Sequence, residues 1–167
     1  SSVDAAPESD EDNVGCQTTT QCPADDACSL VNQTIPTNCS LLSYALYDCS
    51  IPAQNCFNTW DVSSVYTFEE MFYKAEGQIN GLTNWDTSKG ESFAGMFYEA
   101  TAFNQPLNWN TSSGRDFGEM FAGATSFNQP LNWNTSSGLY FGEMFAGATS
   151  FNQPLNFTTP SGLEFTE

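Results

Sequence analysis

Residues 109–132 read WNTSSGRDFGEMFAGATSFNQPLN, and residues 133–156 read WNTSSGLYFGEMFAGATSFNQPLN. The two stretches differ only at Arg115/Leu139 and Asp116/Tyr140. The pattern extends in both directions. Trp recurs at Trp60, Trp85, Trp109 and Trp133, with Phe157 in the next slot. Met-Phe recurs at Met71-Phe72, Met96-Phe97, Met120-Phe121 and Met144-Phe145, each preceded three residues earlier by Phe68, Phe93, Phe117 or Phe141. The period is 25 residues for the first unit and 24 thereafter. The extra residue lies between Met71 and Trp85.

One unit of this length cannot bury two Phe, a Met and a Trp by itself. Stacked units can, because like residues then lie over one another about 4.8 Å apart. The expectation is a repeat solenoid over residues 60–167, with full units at 60–84, 85–108, 109–132 and 133–156 and a partial unit at 157–167. Each unit is expected to hold one short strand ending at its Phe. A short helical or 3₁₀ turn follows at Glu-Met-Phe-Ala-Gly-Ala, and an extended return passes through Pro106, Pro130 or Pro154. Trp-Asp/Asn-Thr-Ser reads as a turn capped by the Asx side chain.

Comparing the units separates inside from outside. The most variable slots lie six and seven residues after each Trp: Tyr66-Thr67, Glu91-Ser92, Arg115-Asp116, Leu139-Tyr140 and Leu163-Glu164. A slot that accepts Glu, Arg and Leu does not face a packed interior. Period-two alternation then turns the following Phe inward. Tyr66, Glu91, Arg115, Asp116, Leu139, Tyr140 and Leu163 form the candidate binding face.

Upstream the composition changes. Residues 1–15 are acidic and read as a flexible tail. Residues 16–59 carry all six Cys, at Cys16, Cys22, Cys28, Cys39, Cys49 and Cys56. Spacings of 6, 6, 11, 10 and 7 lack the paired knuckles of a zinc site. The set reads as a disulfide-rich N-terminal cap whose pairing stays open. The opening Ser-Ser-Val-Asp-Ala-Ala-Pro resembles a mature terminus after signal cleavage. Sequons at Asn32, Asn38, Asn110, Asn134 and Asn156 agree with a secreted or cell-surface protein.

The 167 residues hold 20 Asp and Glu against 3 Lys and Arg, for a net charge of −17, and no His. Lys74, Lys89 and Arg115 cannot supply the cationic surface that nucleic acid requires. No apolar stretch is long enough to span a bilayer. Triads and metal sites that need His are excluded.

The segment Phe-Ala-Gly-Ala-Thr-Ser-Phe-Asn-Gln-Pro-Leu-Asn-Trp-Asn-Thr-Ser, at 121–136, resembles the BspA-like surface-protein repeat. The likeness covers residues 60–167. It implies a right-handed, leucine-rich-repeat-like solenoid, secretion or surface anchoring, and a structural or adhesive role. It carries over no catalytic residues. This sequence departs from the family in one slot: the Val usual before the strand appears only as Val65, and is replaced by Gly90, Gly114, Gly138 and Gly162. That bears on the length of the strand. The Cys module resembles the disulfide-stapled N-terminal caps of extracellular leucine-rich-repeat proteins.

Other slots have two readings. Asn80, Asn104, Asn128 and Asn152 read as an asparagine ladder that satisfies backbone groups. Glu70, Glu119, Glu143 and Glu167 share a slot interrupted by Gly95; they either splay into solvent or hold Ca²⁺ between units, and solvated carboxylates are the expectation. Asp116 beside Glu119 is the one pair a glycosidase reading can use, and the near-identical next unit lacks it. No catalytic residue, metal or cofactor is therefore expected. The sequence stops at Glu167, just before the next Met slot. The expected partners are further copies of the chain in head-to-tail assembly, or other surface or matrix proteins or glycans. The leading expectation is an extracellular structural or adhesive protein. The alternatives are a recognition module of a surface receptor or adhesin, and a carbohydrate-active enzyme.

Overall fold

The computed structural model describes residues 43, 45–46, 50–51, 57–77 and 79–160. Among them there is no α-helix. Strand β1 (Ser50–Ile51) pairs in parallel with β2 (Glu76–Gly77), and a 3₁₀ turn spans Phe57–Thr59. The remaining order comes from bonds between units. Parallel bridges join Thr67 to Ser92, Ser92 to Asp116 and Asp116 to Tyr140.

The amides after each bridge divide their bonds in alternation. Phe93, Gly95, Phe97 and Glu99 donate to the carbonyls of Asp116, Gly118, Met120 and Ala122 in the next unit, at 2.7–2.9 Å. The intervening Met96, Tyr98 and Ala100 donate three residues back, to Phe93, Gly95 and Phe97. The segments 68–75 and 117–124 repeat the scheme. The segment expected as a helical turn is thus a run of turns. A continuous right-handed helix would send every amide back along its own axis. Here left-handed residues recur every fourth position: Glu70 and Lys74, Gly95 and Glu99, Glu119 and Gly123, Glu143 and Gly147. They stop the helix from propagating and leave alternate amides free to reach sideways.

The side chains stack in register. Trp60, Trp85, Trp109 and Trp133 lie nearly parallel with centroids 6.2 Å apart, and Phe157 follows at 6.4 Å. Phe68, Phe93, Phe117 and Phe141 are spaced by 5.3–5.5 Å. Phe72, Phe97, Phe121 and Phe145 are spaced by 5.5–5.6 Å. A further column, Phe103, Phe127 and Phe151, packs beside the last of these. Such separations suit offset-stacked rings, each of which contributes on the order of 0.5–1.5 kcal/mol beyond burial. From Trp85 onward, polar atoms inside are matched from unit to unit, whereas Trp60 Nε1 is buried without a hydrogen-bond partner among the described residues. Trp85, Trp109 and Trp133 donate Nε1–H to the carbonyls of Phe57, Leu82 and Leu107. Buried Thr87, Thr111 and Thr135 donate Oγ1–H to those of Asn110, Asn134 and Thr158.

The stack reaches back before Trp60. Leu46 donates its amide to Met71, Ser43 Oγ lies 3.2 Å from Thr67 Oγ1, and the Phe57 ring meets Phe72 edge-on. Cys16, Cys22, Cys28, Cys39, Cys49 and Cys56 lie outside the described residues.

Candidate functional site

The variable face is set by what lies on either side of it. Each Thr-Ser turn is followed by Gly90, Gly114 or Gly138, all buried. A Cβ at these positions would lie 2.3–2.5 Å from Cζ of the Phe three residues later. Glycine therefore lets the buried Phe fold back under the turn, and the next residue is pushed outward. Chain pairing at this point is a single-residue bridge.

Slot six is exposed at Tyr66 (45%), Glu91, Arg115 and Leu139 (41%). The backbone holds the column in register. The amides of Glu91 and Ser92 converge on the Tyr66 carbonyl, those of Arg115 and Asp116 on Glu91, and those of Leu139 and Tyr140 on Arg115. In slot seven, Asp116 is half-buried and accepts the Gly118 amide through Oδ1 at 2.9 Å, which engages one of its two oxygens. Tyr140 is 61% exposed. Leu163 lies outside the described residues. Arg115 Nε sits 3.9 Å from Glu91 Oε2, both largely exposed, and such a pair adds little to stability. The face therefore pairs one small ion pair with an aliphatic and phenolic patch at Leu139 and Tyr140.

Carboxylates border this face. Burial pushes the Glu69 carboxyl above its ordinary range, with the charge of Asp116 adding to the effect. Burial does the same to Glu70, aided by Glu69 and Glu119. Among the described residues no group of three or more Asp, Glu, His or Cys is placed to hold a metal ion. Glu119 and Glu143 are exposed, and Glu167 lies outside the described residues.

The sequon residues Asn110, Asn134 and Asn156 are exposed; Asn32 and Asn38 lie outside the described residues. Asn110 and Asn134 also cap turns, accepting the amides of Ser112 and Ser136 through Oδ1 at 3.1 Å. Asp61 and Asp86 do the same in their units. The Asn slot forms a surface ladder: Asn104 Oδ1 accepts the Asn128 amide and Asn128 Oδ1 the Asn152 amide, at 3.0 and 2.9 Å.

Residues 40–158 match the family described as Mycoplasma protein of unknown function, DUF285. The chain belongs to this family. The DUF285 span includes every bridge and aromatic column described above, together with Ser43, Ala45 and Leu46, which precede the first Trp. No curated protein and no solved structure matches the chain. Among the described residues no helix is long and apolar enough to cross a membrane.

Two features of the site escaped the sequence reading. One is the buried Thr slot that anchors three of the turns, at Thr87, Thr111 and Thr135, with Val62 in its place in the first unit. The other is the left-handed backbone, signalled by Gly95 standing in a Glu slot and by Gly123 and Gly147 in the slot of Lys74 and Glu99.

Proposed function

We propose that this protein is an extracellular structural or adhesive repeat rod, non-catalytic, built of BspA-like units in a right-handed, leucine-rich-repeat-like solenoid. The module of Cys16 to Cys56 caps its N-terminal end with disulfides, and the rod serves a surface appendage or matrix, in head-to-tail register with further copies. One observation carries this reading. Each unit receives the same alternating set of backbone bonds that it passes on, so length is gained without a change of design. The Phe, Met and Trp side chains that recur from unit to unit are packed inside the stack. Surface biotinylation of intact source cells is expected to label the protein, and negative-stain microscopy is expected to show rods joined end to end. Labelling only after lysis, or compact particles, would overturn the reading.

A second reading is favoured by the exposure of Tyr66, Leu139 and Tyr140 on an otherwise hydrophilic face. In it, the rod is a recognition module that binds a surface protein or glycan through these side chains. Matrix-protein binding that is lost in Tyr140→Ser and kept in Glu143→Ser would support it; equal binding by both variants would sink it.

A further inference from the structure

The regular units close one edge of the stack with their own side chains. Gln129 donates Nε2–H to Asn104 Oδ1 at 3.0 Å, and Gln153 donates to Asn128 Oδ1 at the same distance. The first unit breaks this pattern. Where the second reads Asn104-Gln-Pro-Leu107, the first reads Asn80-Gly-Leu82. Leu82 still takes the place of Leu107, since Trp109 bonds to the Leu82 carbonyl as Trp133 bonds to that of Leu107. The Gln-Pro pair is therefore reduced to Gly81. Its left-handed φ of 86° disfavours any larger side chain.

A cleft of about 330 Å³ lies at this break, lined by Asn58, Asn80, Gly81, Thr83, Asn84 and Gln105. The lining has no ionisable group, in a protein whose net charge is −17. The carboxamides of Asn58, Asn84 and Gln105 have no hydrogen-bond partner among the described residues, unlike Gln129 and Gln153 one and two units on. Each carboxamide offers two donors and an acceptor oxygen on a short planar group. Adjacent hydroxyls of a sugar, each both donor and acceptor, satisfy such groups in pairs. Phosphate, sulfate or carboxylate ligands would find no cation here. The volume stands at the small end of ligand sites and suits about one sugar ring.

We propose that this cleft, whose lining includes none of the variable-slot residues, binds one residue of a neutral saccharide. The test is a titration of the full ¹⁵N-labelled chain, read from side-chain amide signals. The probes are the methyl glycosides of galactose, mannose and N-acetylglucosamine, with inorganic phosphate as the charged control. Saturable shifts of Asn58, Asn84 and Gln105 with at least one glycoside are expected, while Gln129 and Gln153 stay still. Asn84→Asp and Gln105→Glu keep the shape but lose donors, and are expected to weaken that binding about tenfold. The indole signals of Trp85 and Trp109 verify that each variant remains folded. No saturable shift with any glycoside, equal shifts with phosphate, or equal response at Gln129 and Gln153 would overturn the proposal. Repeating the titration with a glycoprotein before and after deglycosylation tells whether the site takes a protein-linked glycan or a free sugar.

Discussion

Gly114 and Phe117 occupy one another's space so closely that a Cβ on the glycine would lie 2.4 Å from the ring's Cζ. The same contact recurs at Gly90 with Phe93 and at Gly138 with Phe141. It accounts for three glycines in a slot where the first unit holds buried Val65.

Gly114→Ala is therefore expected to cost roughly 1–3 kcal/mol, the usual range for forcing atoms into a packed interior. Urea unfolding measures it. Combining it with Phe117→Leu, which removes the clashing ring edge, should recover part of the loss. A single variant as stable as the parent would mean that the ring is not held there.

Phe121 is fully buried, stacked between Phe97 and Phe145 and beside Phe127. Phe121→Ala should cost roughly 3–5 kcal/mol, as large-to-small changes in a packed core do. A loss below about 1 kcal/mol would contradict its burial.

Left-handed backbone is disfavoured by about 1–2 kcal/mol for a residue with a side chain. Glu119 sits at φ 54°, in the slot where Gly95 sits at 58°. Glu119→Gly should therefore raise the melting temperature, the gain being trimmed by the greater freedom of glycine in the unfolded chain. Gly123→Ala should lower it, since φ is 69° there and a Cβ would meet Glu99 Cγ at 2.9 Å. Calorimetry on both variants checks the pair of signs.

The pH dependence follows from opposed carboxylates. Glu69 and Glu70 have raised values in the fold, chiefly from burial. Between the ordinary Glu value and the raised one, the native state holds more protons than the unfolded state, so their contribution to stability falls as pH rises through that window. Asp61 and Asp86 are lowered, first by the hydroxyl and then by the amide of Ser63 and Ser88. Their contribution is present above the ordinary Asp value and is lost as pH falls through the lowered one. Glu70→Gln should therefore melt higher than the parent at pH 7 and match it once both are below the Glu range. Melting curves that stay parallel across this range would contradict the assignment.

The residues that pair with copies of themselves were the legible ones. Phe93 over Phe117, or Trp85 over Trp109, can be read from spacing because a stack places equal positions in contact. The outward turn of Glu91 and Arg115 was legible from their variety. The backbone between them was not. Met-Phe spacing looks the same in a helical turn as in a run of turns, and only Gly in a Glu slot distinguishes them. The cleft at Gly81 was hidden for a related reason: the loss of one residue, where Gly81 replaces Gln-Pro, is more than offset by one extra residue before Ile79 and another before Trp85, so the period shifts by a single residue.

Aromatic nuclear Overhauser contacts in a chain with selectively labelled Phe test the stacked register most directly. Contacts are expected from Phe93 to Phe117 and from Phe117 to Phe141, with none from Phe93 to Phe141, two rungs apart. Three rings in unrelated surroundings, or Phe93 touching Phe141 directly, would contradict it.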